Sequence, residues 1–392
     1  MNTLVEAKYD LLIECCRVNR NNELIETLIN QIDDWDSFIT SAYMHGVFPL
    51  AYKVLKEFLT NYPELLFQCK RVNLDIAQLN LHMAAELIKI VNLLQQENIV
   101  ILGIKGPVLS SLLYDDISQR QFSDIDVLLH QEEIYRAVIM LESLGYRPEF
   151  SSDFLKNEML LKIDKDFAVS TPDGKVNIEF HWKLFSNKQM QKGNLACFSA
   201  DNVAVNIHNT CIQTLAMDIQ LLYLLVHGSK HYWERLEWIC DIDRLVRLNP
   251  NMDWVVLIER VRAMDIEGMV YLGLMISHEL LETPLDKKIV ERIRKLPTLQ
   301  GAKAAIIADI RNDKITEGHN EHVDLENLRH LSLIYETKWK LLKEYLFMLF
   351  GIKKWDIFVV NLPKGFYWFY YFIRYYRIIK EIVILHHRFV SY

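Results

Sequence analysis

The sequence predicts an α+β protein in which a small mixed sheet sits between helical N-terminal and C-terminal regions. Three observations carry that expectation. Residues 98–129 run strand, glycine turn, helix, loop, strand. Two short apolar runs flank Pro172-Asp173-Gly174, and Asp-Gly between alternating apolar residues is a strong hairpin signal. Before residue 97 and after residue 211, apolar residues recur three and four apart, as on one face of a helix. At 392 residues the chain is long enough for two or three structural units. The expected division is a helical region over 1–97, the α+β core over 98–210, a helical bundle over 211–300 and a helical, aromatic-rich region over 301–392.

Composition narrows the class. With 51% hydrophobic and 24% charged residues the chain has the make-up of a globular protein and not of a disordered one. A formal charge of −7 argues against nonspecific coating of nucleic acid, while leaving room for a local basic groove. None of the six cysteines forms a Cys-x-x-Cys pair, and reduced thiols in a cytoplasmic protein are the simplest account. The first residues, MNTLVEAKYDLLIECC, carry acids and lack a basic stretch followed by an apolar one, so no signal peptide is expected.

Taken in order, Leu4, Leu11, Leu12, Leu24, Ile25 and Leu28 mark the first helices, and Asp34 to Ser37 offers N-cap residues for the next. His45-Gly46-Val47 reads as a turn followed by packing. One long helix spans Glu64 to Glu97. Ile99 to Ile104 is a strand ending at Lys105-Gly106-Pro107, and the proline suits the first turn of a helix to Leu113. Ser123 to Leu129 is the second strand. With a period of two, Asp124 and Asp126 share one face and Ile125 and Val127 the other. Glu132 to Leu144 is an amphipathic helix closed by Gly145. In the hairpin that follows, Asn177, Glu179 and His181 share the face opposite Ile178 and Phe180. Leu215 to His227 and Arg235 to Leu248 return to helix, and Trp254 to Leu281 continues the bundle. Lys303 to Arg329 is charged and expected at the surface.

The last thirty residues hold eleven aromatics, five Lys or Arg and one acid, Glu381. Charges at Arg374, Arg377 and Lys380 interrupt any membrane span. Packing of these aromatics against the protein's own helices is the expectation, with an amphipathic contact to a membrane or a partner as the alternative.

Two carboxylates one strand repeat apart suit Mg²⁺, a hard cation that prefers oxygen ligands. A glycine turn upstream and a third acid downstream complete a pattern that resembles the nucleotidyltransferase superfamily that includes polymerase β. More narrowly it is similar to a family of largely uncharacterised bacterial nucleotidyltransferases, which have Leu-Lys-Gly at the turn and Asp-Ile-Asp at the metal strand. Here the corresponding residues are Lys105-Gly106 and Asp124-Ile125-Asp126. The family's Asp-Leu-His-Trp is Glu179-Phe180-His181-Trp182, a change that lengthens the third ligand by one methylene. Its later His, His-x-Trp-x-Arg-Leu-x-Trp and Asp appear from His227 to Asp241. The broad superfamily has Gly-Ser or Gly-Gly at the turn where this chain has Gly106-Pro107, with Ser110 and Ser111 as the available substitutes.

That resemblance implies an enzyme that moves a nucleoside monophosphate from an NTP, ATP first, to an unknown hydroxyl or phosphate acceptor with release of pyrophosphate. The acceptor classes it suggests are a small metabolite, a peptide or a glycan. Asp124, Asp126 and Glu179 would be catalytic and hold Mg²⁺, with Mn²⁺ as substitute. Lys105 and Arg120 would meet phosphate oxygens, Gly106 would let the backbone approach them, and Ser123, His181, His231 and Arg235 would complete the nucleotide site. His227 and His231 have zinc-ligand spacing, but Gly228 stands where a zincin has glutamate, so zinc is not expected. Two other readings stand beside this one: a nucleotide-binding or regulatory module without turnover, and a toxin-like nucleotidyltransferase acting on tRNA or protein, whose RNA version the acidic charge weakens.

Overall fold

A computed structural model describes residues 2–185, 197–315 and 338–390. Four helices, α1 (Asn2–Cys16), α2 (Asn22–Ile29), α3 (Trp35–Met44) and α4 (Phe48–Leu55), open the chain, and the long α5 (Pro63–Gln96) delivers it to the sheet. Side chains set the starts of two of them: Asn21 accepts from the Leu24 N–H at 3.1 Å and Asp34 from the Ser37 N–H at 2.9 Å. Gly46 takes a left-handed φ of +70°, and a Cβ there would lie 2.0 Å from Glu237 Oε2. The turn at His45-Gly46 is therefore a packing joint between the N-terminal helices and a helix nearly two hundred residues away.

The core follows as β1 (Ile101–Gly103), α6 (Gly106–Leu113), β2 (Asp124–Leu129), α7 (Ile134–Ser143), β3 (Arg147–Pro148), α8 (Glu158–Ile163), β4 (Asp166–Ser170), β5 (Asn177–His181), β6 (Val203–Ile207) and β7 (Thr210–Thr214). These strands make one seven-stranded mixed sheet in the order β3-β4-β5-β2-β1-β7-β6. The sequence reading does not contain the β6–β7 hairpin. Its two-residue turn is His208-Asn209, with His208 at φ +54°, and it has no glycine to announce it. Through β7 the sheet runs on to Thr214.

Alternation along β2 divides the interior. Ile125, Val127 and Leu129 face one apolar core, shared with α7 and the second half of α5; Leu128 faces the other, shared with the N-terminal helices and the bundle that follows. Asp124 and Asp126 fall on the Leu128 side.

That bundle comprises α9 (Met217–Lys230), α10 (Leu236–Leu248), α11 (Trp254–Met264), α12 (Glu267–Leu281), α13 (Lys287–Arg294) and α14 (Pro297–Arg311). The stretch from Trp254 to Leu281 continues the bundle, as expected, in two helices that part at Asp265, which is left-handed at φ +58°. Part of the expected surface segment, Lys303 to Arg311, lies in α14, which buries Ala302, Ile306 and Ile310; residues 316–329 lie outside the described residues. Finally come α15 (Lys338–Phe350), α16 (Lys354–Val359) and α17 (Tyr370–Val390). No helix among the described residues is long and apolar enough to cross a membrane.

The expectation that the terminal aromatics pack inward needs correction. Tyr370 is buried, its hydroxyl accepting from the Leu362 N–H at 2.9 Å and donating to the Val360 carbonyl at 3.1 Å. By contrast Phe366, Trp368, Phe369, Tyr371, Phe372, Tyr375 and Tyr376 are all exposed.

Candidate active site

Sheet pairing assembles the acids. β2 and β5 run parallel in a register that sets Asp124 beside Asn177 and Asp126 beside Glu179, with Leu128 beside His181. Residues that each strand places on one face thus become neighbours on one patch of sheet. Asp126, Glu179 and His181 each present a ligand-type atom within 4.8 Å of the others. His181 Nε2 stands 3.1 Å from Asp126 Oδ1 and 3.3 Å from Glu179 Oε2. Asp124 lies two residues back along β2 and lines the same cleft of about 320 Å³.

The glycine turn brings in a cation. Lys105 Nζ lies 3.0 Å from Asp126 Oδ1. Gly106 has φ +55°, and a Cβ on it would come within 2.7 Å of the Asp124 carbonyl oxygen. A side chain there would push the turn off β2, so the glycine sets the distance between Lys105 and the acids.

Buried charge shapes the electrostatics. Burial alone would push Asp126 up, but the Lys105 ammonium and the His181 ring hold its carboxyl well below the usual carboxylate range. Asp124 goes the other way, to about 6, through burial and the neighbouring Asp126 charge. Burial and Lys165 pull His181 down; hydrogen bonds to Asp126 and Glu179 outweigh them and raise it. Lys105 stays well above its ordinary value because the surrounding anions, Asp126 foremost, overcome the burial penalty. Neighbouring carboxylates with opposed proton affinities are common at functional sites; here Asp124 lines the cleft and Asp126 is buried beside it.

The donor set fits a hard divalent cation. Asp126 Oδ2 is buried and has no hydrogen-bond partner among the described residues. An orphaned carboxylate oxygen beside further carboxylates is what an oxygen-seeking ion would satisfy.

The remaining wall of the cleft comes from β4 and α9. Asp166 pairs with His181 across the β4–β5 hairpin, and Lys165 forms an ion pair with Asp166. Tyr223, His227, Lys230 and His231 complete the lining. Sequence reasoning missed Lys165 and Asp166, although counting back from the Pro172-Asp173-Gly174 turn places residue 166 opposite 181. It also missed Tyr223, which lies within an uninterrupted apolar stretch of α9.

Other expected site residues stand elsewhere. Arg120 is buried and does not line the cleft: its Nε and Nη2 donate to Asp241 on α10 at 2.9–3.1 Å, and Tyr114 Oη donates to the same carboxylate at 2.9 Å. Asn80 of α5 donates to the Arg120 carbonyl at 2.7 Å. Arg120 therefore clamps the loop that enters β2, and positions Asp124 through the backbone. Ser123 and Arg235 line a separate cavity of about 540 Å³ between α3 and α5, together with Tyr43 and Leu79. Ser110 and Ser111 donate to the carbonyls of Ile117 and Asn206 at 3.0 and 3.1 Å, so neither faces the cleft.

Residues 32–282, well over half of the chain, match the model of a family described as an uncharacterised nucleotidyltransferase. The chain belongs to this nucleotidyltransferase family. Membership implies transfer of a nucleotidyl group, an NTP substrate and a divalent metal. No curated protein matches the chain. In this nucleotidyltransferase the matched stretch includes α3, α5, the sheet and the bundle through α12, and it ends before the aromatic helices.

The family segment from His227 to Asp241 acquires a physical account. Tyr232 and Trp233 both have left-handed φ values of 55°, a costly conformation for aromatic residues. That turn drives the Trp233 indole into the bundle, where a Cβ on Gly228 or on Gly273 would meet it at 2.4 and 2.3 Å. Gly228 is thus a seat for Trp233. His227 and His231 pack with their ring centroids 4.4 Å apart, both close to Trp238. Burial and the neighbouring Lys105 and His231 charges hold His227 well below its ordinary value, which keeps it neutral in the cleft.

Proposed function

We propose that this protein transfers a nucleoside monophosphate from an NTP, with ATP as the first candidate, to a hydroxyl or phosphate acceptor, and releases pyrophosphate. The observation that carries the reading is the cross-strand pair Asp126 and Glu179, flanked by Asp124 in a cleft that also holds Lys105 and Lys165. Asp124, Asp126 and Glu179 would hold Mg²⁺, or Mn²⁺, with His181 orienting the two acids it touches. Bound there, divalent ions would offset the charge developing on the entering and leaving oxygens.

The chain's own residues do the rest. Lysines at the cleft neutralise the triphosphate, and neutral His227 and Tyr223 supply polar contacts on the α9 side. An acceptor oxygen forms the new bond to the α-phosphorus as the bond to the pyrophosphate oxygen breaks. Glu179, whose side chain is 37% exposed, takes the hydroxyl proton and passes it to solvent. Arg120 positions Asp124 and touches no substrate. The six cysteines are free thiols, which supports a cytoplasmic setting.

Calorimetry with each of the four NTPs in the presence of Mg²⁺ or Mn²⁺, followed by an assay of pyrophosphate release, tests the reading. Wild-type protein should bind at least one NTP only when metal is present, and release pyrophosphate slowly to water. The Asp124→Ala/Asp126→Ala variant should lose both, by about a thousandfold or more in rate. Metal-independent binding that this variant retains would overturn the proposal in favour of a binding module.

A further inference from the structure

We propose that the C-terminal helices form a docking face for an anionic lipid bilayer. α17 packs against the protein through its arginine face. Arg374 is only 8% exposed, and its Nε donates to the Leu349 carbonyl of α15 at 3.2 Å. Arg377 reaches the fully buried Asp356 of α16 at 2.8 Å. The helix is thus held to the protein by its arginines.

Its opposite face carries Phe372, Tyr375 and Tyr376, which are 59, 60 and 66% exposed, with Ile379 one turn further on. Trp368 and Phe369, in the 3₁₀ turn before it, extend the stripe and contact the Phe372 ring at centroid distances of 5.8 and 5.6 Å. On α15, Trp339, Leu342, Leu346 and Phe350 are exposed at intervals of three and four residues. A helix of a water-soluble domain turns its apolar face inward and its charges outward. Here α17 turns two arginines inward and its rings outward, and the neighbouring α15 exposes apolar side chains as well; contiguous exposed apolar surface of this kind marks an interaction site.

Charge selects the occupant. Residues 338–380 contain nine Lys and Arg against two acids, a formal +7 within a chain whose total is −7. Lys343 and Lys380 are exposed around the aromatic stripe, and Lys364, also exposed, pairs with Glu158 at 2.6 Å. Basic side chains bordering exposed Trp, Tyr and Phe match the two layers of an anionic membrane surface: rings at the headgroup level, ammonium groups on lipid phosphates. The like charge of the face opposes its pairing with itself in a second copy. Because no helix among the described residues is fit to span a bilayer, the contact lies in the interface plane.

Co-sedimentation of the full chain with phosphatidylcholine vesicles, with and without phosphatidylglycerol, tests this. Wild-type protein should sediment with the phosphatidylglycerol vesicles, weakly with the neutral ones, and less as salt is raised. Trp368→Ser/Phe372→Ser/Tyr376→Ser should lower the affinity by at least about tenfold. Lys343→Glu/Lys380→Glu, which leaves every ring in place, should lower it by about fivefold or more for each lysine. Circular dichroism should show both variants folded. Wild-type protein that stays in the supernatant with anionic vesicles overturns the proposal, as does a triple variant that binds like wild type. A concentration-dependent dimer that the triple variant abolishes would instead give the face to a second copy and would equally overturn it.

Discussion

Two regions of this molecule bury arginine, and they do so for opposite ends. Beside the cleft, Arg120 is sealed against Asp241 and Tyr114 and sits among the apolar side chains of the bundle, so that the charge is internal. In the C-terminal helices, Arg374 and Arg377 are drawn inward while Trp368, Phe372 and Tyr376 are left outside. The same interaction, a guanidinium satisfied by the protein's own oxygens, fixes the loop that enters β2 in one place and frees an aromatic face in the other. A buried arginine by itself therefore says little; what its burial exposes or holds still is the informative part.

The comparison breaks most readily at Arg120. Arg120→Ala would leave the Asp241 carboxylate buried with only the Tyr114 hydroxyl, and removal of one partner from a buried ion pair costs about 3–5 kcal/mol. Denaturant unfolding should report a loss of that size, and pyrophosphate release should fall with it because the entry to β2 is no longer clamped. An unchanged unfolding midpoint would show that the clamp contributes nothing.

A second test separates charge kept for stability from charge kept for chemistry. The Asp124 carboxyl titrates at about 6 in the fold against 3.8 in the unfolded chain, so the folded state binds this proton more tightly. Metal-free protein should for that reason gain stability from this group as pH falls from about 6 towards 4, and lose it as pH rises. Asp124→Asn should melt above wild type near pH 7, with the advantage vanishing towards pH 4. Since a metal must displace the same proton, Mn²⁺ affinity should fall by up to about tenfold per pH unit below about 6. A pH-independent difference between the two proteins would remove Asp124 from the charged cluster.

The smallest effect is expected where the aromatics are exposed. Phe372→Ser should change the unfolding free energy by less than about 0.5 kcal/mol, because the ring covers little of the protein's own surface. A loss of several kcal/mol would mean that the stripe is a core face after all, and the contrast with the Arg120 region would collapse.

Strand alternation alone put Asp124 with Asp126 and Glu179 with His181, and the Pro172-Asp173-Gly174 turn set the hairpin that presents the second pair. Glycine chemistry at residue 106 and the cap at Asp34 are local too, since backbone conformation and nearby hydrogen bonds decide them. Pairing of β2 with β5 is not local. It joins residues about fifty positions apart through a register that no single strand encodes, and it alone turns two acidic strands into one site. The partner of Arg120 is 121 residues away, so a residue that reads as a phosphate contact in the chain becomes a clamp in the fold. Aromatic periodicity in the last helix was visible, but a stripe at helical spacing looks the same whether it faces a core or solvent. Only the tertiary structure, by seating Arg374 and Arg377 inward, decided which way it points.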